Sequence, residues 1–136
     1  MNKALNQELV AIEATAVTYL TAFTRGDVAV VLSAFADDGV LIAPNLPAAV
    51  GKTELAKIYP LVLEAVDFNM NYMIREVEQI SADWGFVRSS TEGKETNKQT
   101  GTVTHTAYNE LFLLRKSLSG VWQIARYATS MVSSNS

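Results

Sequence analysis

The stretch Tyr19–Pro44, YLTAFTRGDVAVVLSAFADDGVLIAP, decides the fold. Upstream of it, Leu5, Leu9, Ile12 and Ala16 lead into Tyr19, Leu20 and Phe23 at three- and four-residue spacing, the pattern of a helix with one apolar face. Gly26 ends that helix, and Asp27 is placed to cap a second one carrying Val28, Val31, Leu32 and Phe35. The valines alone would permit a strand; the cap and the spacing favour a helix. Asp37-Asp38-Gly39 reads as a turn, Val40–Ile42 as a short strand, and Pro44 as its end.

Outward from this core the chain divides in two. Gly51-Lys52-Thr53 opens a third helix, with Thr53 a fair cap and Pro60 expected to kink or end it. Beyond Phe68 the period moves towards two. Strands are expected from Phe68 to Ile80, Asp83 to Thr91, Thr104 to Lys116 and Val121 to Met131, with a turn at Ser117–Gly120. The polar run Gly93–Thr102, GKETNKQTGT, reads as a loop. Long strands joined by short loops pair as antiparallel neighbours, and the helices must cover one face of their sheet. The fold class is therefore α+β, a single domain over residues 1–136. Leu111-Phe112-Leu113-Leu114 puts apolar side chains on both faces of one strand. The helices shield one face; a second copy of the chain is the simplest cover for the other. Phe112, Leu114, Trp122 and Ile124 are the residues expected on that second face, which predicts a homodimer.

Composition removes several classes of function. The chain has no cysteine, so disulfides and thiolate chemistry are absent, and one histidine argues against a zinc site. A net charge of −3 with scattered basic residues argues against nucleic-acid binding. The uncharged stretch Val28–Ala36 is too short to span a bilayer, and MNKALNQELV lacks a signal-peptide pattern, so the cytoplasm is the expected compartment. Gly51-Lys52-Thr53 lacks the glycine-rich loop of a phosphate-binding motif, and no cofactor or metal site is expected.

TYLTAFTRGD, LSAFADDGVLI, the Gly51 helix start and the terminal NELFLLRKSLSGVWQIARY resemble the nuclear transport factor 2-like superfamily over about residues 5–130. Within it the resemblance extends to ketosteroid isomerase-like, polyketide-cyclase-like and DUF4440-type members. The resemblance implies a cone-shaped, strongly bent antiparallel sheet covered on one side by three helices, often dimeric, with a pocket for a small hydrophobic molecule. Ketosteroid isomerases place an enolate-binding tyrosine eight residues before the aspartate of the Gly-Asp hinge, where this chain has Tyr19. Their general-base aspartate falls at Ala43, and their protonated aspartate near Glu110–Phe112, where Glu110 is the carboxylate in reach. Alanine cannot act as a base, so the resemblance implies a ligand pocket more firmly than a steroid isomerase.

The catalytic candidates are accordingly Tyr19, Glu110 and His105. Tyr19 is either a core tyrosine or a hydrogen-bond donor to a ligand oxygen. Glu110 is either a rim carboxylate paired with an arginine or a pocket acid, and burial among Leu and Phe would raise its pKa. His105 is either a surface residue or a base; on one strand it lies about 16 Å from Glu110. The expected pocket walls are Phe23, Asn45, Tyr59, Met70, Trp84 and Tyr127, fitted to a flat apolar or carbonyl-type ligand. Isomerase, lyase or cyclase-like chemistry and a noncatalytic dimeric binding or association module both remain open.

Overall fold

The computed structural model describes residues 3–135, and the side chains of residues 7–132. The elements are α1 (Lys3–Arg25), α2 (Val28–Ser33), β1 (Phe35–Ile42), β2 (Ala49–Val50), α3 (Gly51–Ala65), β3 (Val66–Gln79), β4 (Trp84–Asn97), β5 (Val103–Lys116) and β6 (Trp122–Asn135). Asp27 caps α2 by accepting a hydrogen bond from the Val30 N–H at 3.2 Å. At the start of α3 the Thr53 side chain makes no cap. The Glu54 carboxylate reaches back instead, taking the Val50 N–H at 2.7 Å. Pro60 does not end α3. It removes one bond, to the carbonyl of exposed Ala56, where water can substitute, while buried Leu55, Tyr59 and Leu63 hold the helix to the sheet.

The sheet has six strands in the order β2-β1-β6-β5-β4-β3. β3 to β6 form an antiparallel meander, but β1 runs parallel to β6. This corrects the expected antiparallel cone: the sheet is mixed and open, with β2 and β3 as free edges, and is not strongly curled. Asp37-Asp38-Gly39 is likewise no turn. Phe35 sits opposite Ile124 and Val40 opposite Arg126, so the residues between them bulge out of the β1–β6 ladder. Gly39 is required there, because a Cβ would meet Phe35 Cδ1 at 2.7 Å and the carbonyls of Ala36 and Ile124 at 3.0 and 3.1 Å.

Ile12, Ala16, Tyr19 and Leu20 of α1 join Val87, Phe112, Leu114, Trp122 and Ile124 of the sheet in one buried core. The face assigned to a partner subunit is thus the face under the helices. Strand parity fixes the reverse assignment: Leu111, 48% exposed, and half-buried Leu113 lie on the uncovered side. Glu8 ties α1 to the far ends of β5 and β6, accepting hydrogen bonds from Lys116 Nζ and Trp122 Nε1, both at 3.0 Å. Among the described residues no helix is long and apolar enough to cross a membrane.

The polar run after Gly93 does not form a loop at once. β4 continues to Asn97, with Met70 opposite Gly93 and Phe68 opposite Glu95 on β3, and the turn is confined to the residues before Thr102. Pairing on both sides overrides the low strand propensity of GKETN.

Candidate active site

Along β4 and β5 the inward-facing positions change character. Val87, Phe112 and Leu114 lie under α1 in the core; Ser89, Thr91, Glu95, Thr106, Tyr108 and Glu110 share their face further along. There the helices stand off the sheet, and a cavity of about 300 Å³ opens between α1, α3, the segment after β1 and the inward strand face. This is at the small end of ligand-sized pockets.

Glu110 forms part of its wall and is 7% exposed. Its carboxylate accepts hydrogen bonds from Ser89 Oγ at 2.7 Å, Thr91 Oγ1 at 3.1 Å and the Tyr127 hydroxyl at 3.0 Å. Burial pushes its pKa up, and the three hydroxyl donors pull against that without cancelling it. Tyr19 and Tyr59, on α1 and α3, share a hydroxyl–hydroxyl hydrogen bond of 2.6 Å. Burial raises both phenol pKa values, so both protons stay on. One bond uses one of the two phenol protons. Tyr19 packs edge-on to Tyr127 with ring centroids 4.7 Å apart, and Tyr127 stacks on Phe112 at 4.3 Å. These contacts hold the phenols in place.

A second carboxylate enters the same cavity. Glu95 Oε2 accepts hydrogen bonds from Thr106 Oγ1 at 2.7 Å and from the Tyr108 hydroxyl. Burial, then this neighbouring carboxylate, raises the Tyr108 pKa. None of the residues lining the cavity is Lys, Arg or His. Among the described residues no group of three or more His, Cys, Asp or Glu side chains could hold a metal ion.

Of the sequence candidates, Tyr19, Glu110, Phe23, Asn45, Tyr59, Met70 and Tyr127 all line the cavity. His105 and Trp84 do not. His105 has opposite strand parity to Glu110, is exposed, and borders a shallow depression with Asn69, Asn71 and Lys94. Trp84 sits on the outward parity at the start of β4, with the Arg115 guanidinium 5.5 Å from its ring. Sequence reasoning missed Ser89, Thr91, Glu95 and Tyr108. Tyr108 had a usable signal, since it is two residues from Glu110 and must share its face.

No protein-family model and no curated protein matches the chain. Among solved structures it is 62% identical to a ketosteroid isomerase-like protein from Erwinia carotovora atroseptica SCRI1043, covering 94% of this chain and 98% of that one, with a TM-score of 0.92. The chain belongs to the ketosteroid isomerase-like group of the nuclear transport factor 2-like superfamily. The fold recurs in more distant structures. A candidate scytalone dehydratase from Novosphingobium aromaticivorans DSM 12444 is 15% identical, covering 99% of this chain and 91% of that one, with a TM-score of 0.82. A candidate dehydratase of the nuclear transport factor 2-like family from Streptomyces avermitilis is 14% identical, covering 94% of this chain and 98% of that one, with a TM-score of 0.75. In this nuclear transport factor 2-like protein Ala43 lines the cavity beside Pro44, so the missing carboxylate is missing from the pocket wall itself.

Proposed function

We propose that the chain binds a flat, largely apolar molecule carrying a carbonyl or hydroxyl oxygen, and performs isomerase- or dehydratase-type proton transfer on it. The observation that carries this reading is Glu110, a buried carboxyl set among hydroxyls in the wall of an otherwise mostly apolar cavity. Its raised pKa keeps a proton available at higher pH than an ordinary glutamate, and a protonated carboxyl donates to a ligand oxygen. The unused proton of the Tyr19–Tyr59 pair offers a second donor. Names among the structural relatives, a ketosteroid isomerase-like protein and two candidate dehydratases, agree with proton-transfer chemistry of this kind. Ligands bearing a carboxylate or phosphate are excluded on electrostatic grounds. Two glutamates line the cavity and no cation offsets them.

The test uses 2-tetralone, a flat two-ring ketone, and 2-naphthoate, its anionic counterpart, in calorimetric titrations. The ketone should bind and the carboxylate should not. Ketone affinity should fall as pH rises through the titration of Glu110, because the donor is lost; in Glu110→Gln, whose amide donates at every pH, it should stay level. Binding of the ketone that ignores pH in the wild-type protein would remove Glu110 from the reading. Ala43 supports a second reading, a pocket that binds without turnover, which predicts affinity for the ketone and no chemistry on it.

The assembly proposed with this function is a homodimer. Its interface is the uncovered sheet face around Leu111 and Leu113, with Ala128 opposite Leu111 on β6.

A further inference from the structure

Glu110 and Glu95 differ in one respect that bears on catalysis. Both oxygens of Glu110 are engaged, Oε1 by Ser89 and Oε2 by Thr91 and Tyr127. Both hydroxyls that reach Glu95 land on Oε2, and among the described residues none bonds to Oε1. Thr106 and Tyr108 therefore orient the Glu95 carboxylate and leave one of its oxygens uncommitted. Glu95 is half-buried and lines the same cavity as Glu110 and Ala43. Thr91 and Tyr108 pair across β4 and β5, Thr91 bonded to Glu110 and Tyr108 to Glu95, so the two carboxylates converge on one facing pair of residues.

We infer that Glu95 is the general base of this pocket, supplying from β4 the carboxylate that Ala43 does not supply from the end of β1. The inference rests on the carbonyl ligand proposed above. With the ligand oxygen held at the Glu110 and Tyr19–Tyr59 end, Glu95 Oε1 removes a proton from the carbon next to the carbonyl. The C–H electron pair becomes the new carbon–carbon double bond, and the carbonyl π pair moves to the oxygen, which is stabilised by the donated hydrogen bond. Return of a proton from Glu95 to carbon closes the cycle, and no oxidant, reductant or metal is consumed. Tyr108 and Thr106 are positioning residues: their hydrogen bonds to Oε2 fix the rotamer of Glu95 and aim Oε1 into the cavity.

The experiment follows exchange of the α-protons of 2-tetralone in deuterium oxide by NMR, alongside its dissociation constant from calorimetry. Wild-type protein should accelerate exchange over buffer. Glu95→Gln should lower that acceleration by about 100-fold or more while binding changes by less than about 3-fold. Glu95→Asp, which keeps the charge and withdraws the oxygen by one methylene, should also slow exchange with little effect on binding. Tyr108→Phe should reduce the exchange rate at saturating ketone more than it weakens binding. His105→Ala, on the exposed side of the same strand, should leave both unchanged. Binding with no exchange by the wild-type protein, or undiminished exchange in folded Glu95→Gln and Glu95→Asp, overturns the role of Glu95 and leaves the pocket reading standing. No binding by the wild-type protein overturns the carbonyl ligand and the base together.

Discussion

Removing the Tyr127 hydroxyl tests the buried carboxyl without altering its shape. Tyr127→Phe deletes one of three donors to Glu110 and leaves a ring that still stacks on Phe112. The phenol pKa is raised, so the hydroxyl is a donor throughout the accessible pH range. A hydrogen bond to a charged group contributes about 1.5–3 kcal/mol, and one between neutral groups about 0.5–1.5 kcal/mol. Unfolding entropy of about 2.1 cal/mol/K per residue gives roughly 0.29 kcal/mol/K for 136 residues. The variant should therefore melt about 5–10 °C lower than wild type at pH above the raised Glu110 pKa, and only about 2–5 °C lower near pH 4, where Glu110 is protonated. The sign follows from linkage. Glu110 has a folded pKa above its unfolded value, so the folded state binds the extra proton and stability falls as pH rises from the usual glutamate value through the raised one. Tyr127 lowers that pKa, so removing it raises the value further and deepens the fall. Calorimetric melts of both proteins across this range decide the matter. A melting difference that does not grow with pH would mean that Tyr127 does not stabilise an ionised Glu110.

Other consequences are more direct. Gly39→Ala should cost about 1–3 kcal/mol in urea unfolding, because fully buried Phe35 and two backbone carbonyls cannot withdraw from the new methyl; an unchanged midpoint would mean the bulge is not tightly packed. Sedimentation at micromolar concentration should give twice the chain mass, and Leu111→Glu should halve it while leaving the fold intact; a monomeric wild-type protein would refute the pairing. Tyr59→Phe should weaken ketone binding by about 5-fold to 10-fold, since Tyr19 keeps a proton for the ligand but loses the hydroxyl that orients and polarises it; equal affinities would exclude the phenol pair from the site.

Much of the fold was written in local pattern. The apolar spacing from Leu5 to Phe23, the Asp27 cap and the Ser117–Gly120 turn each act within one or two turns of chain, so each could be read without knowing its neighbours. What escaped depends on contacts far apart in sequence. The parallel pairing of β1 with β6 joins residues over eighty positions apart, and nothing near Asp37-Asp38-Gly39 announces that its bulge will lie against Ile124. The extension of β4 through GKETN follows from pairing with β3 on one side and β5 on the other. Reading that stretch as a loop hid Glu95. In the site, Tyr19, Glu110 and Tyr127 were found through resemblance and parity. His105 was named a catalytic candidate with Glu110, about 16 Å along the same strand, although an odd separation on a strand also sends two side chains to opposite faces.

The same strands build both the core and the site, and the division runs across their length. On β5, Leu114 and Phe112 pack under α1; two and four residues further back, Glu110 and Tyr108 face the cavity. On β4, Val87 is core, Ser89 and Thr91 serve Glu110, and Glu95 lies beyond them. One half of the inward face is thus dry and close-packed, and the other carries hydroxyls and carboxylates that bond to one another. Such a sheet can change its chemistry without changing its fold. Position 43 carries no carboxylate, yet the regular two-residue alternation on β4 delivers one to the same cavity, from a strand whose pairing is secured elsewhere. Substitutions at Glu95 and Tyr108, half-buried and remote from the α1 contact, should therefore alter turnover with little effect on stability, whereas Glu110, seated at the border between the two halves, should alter both.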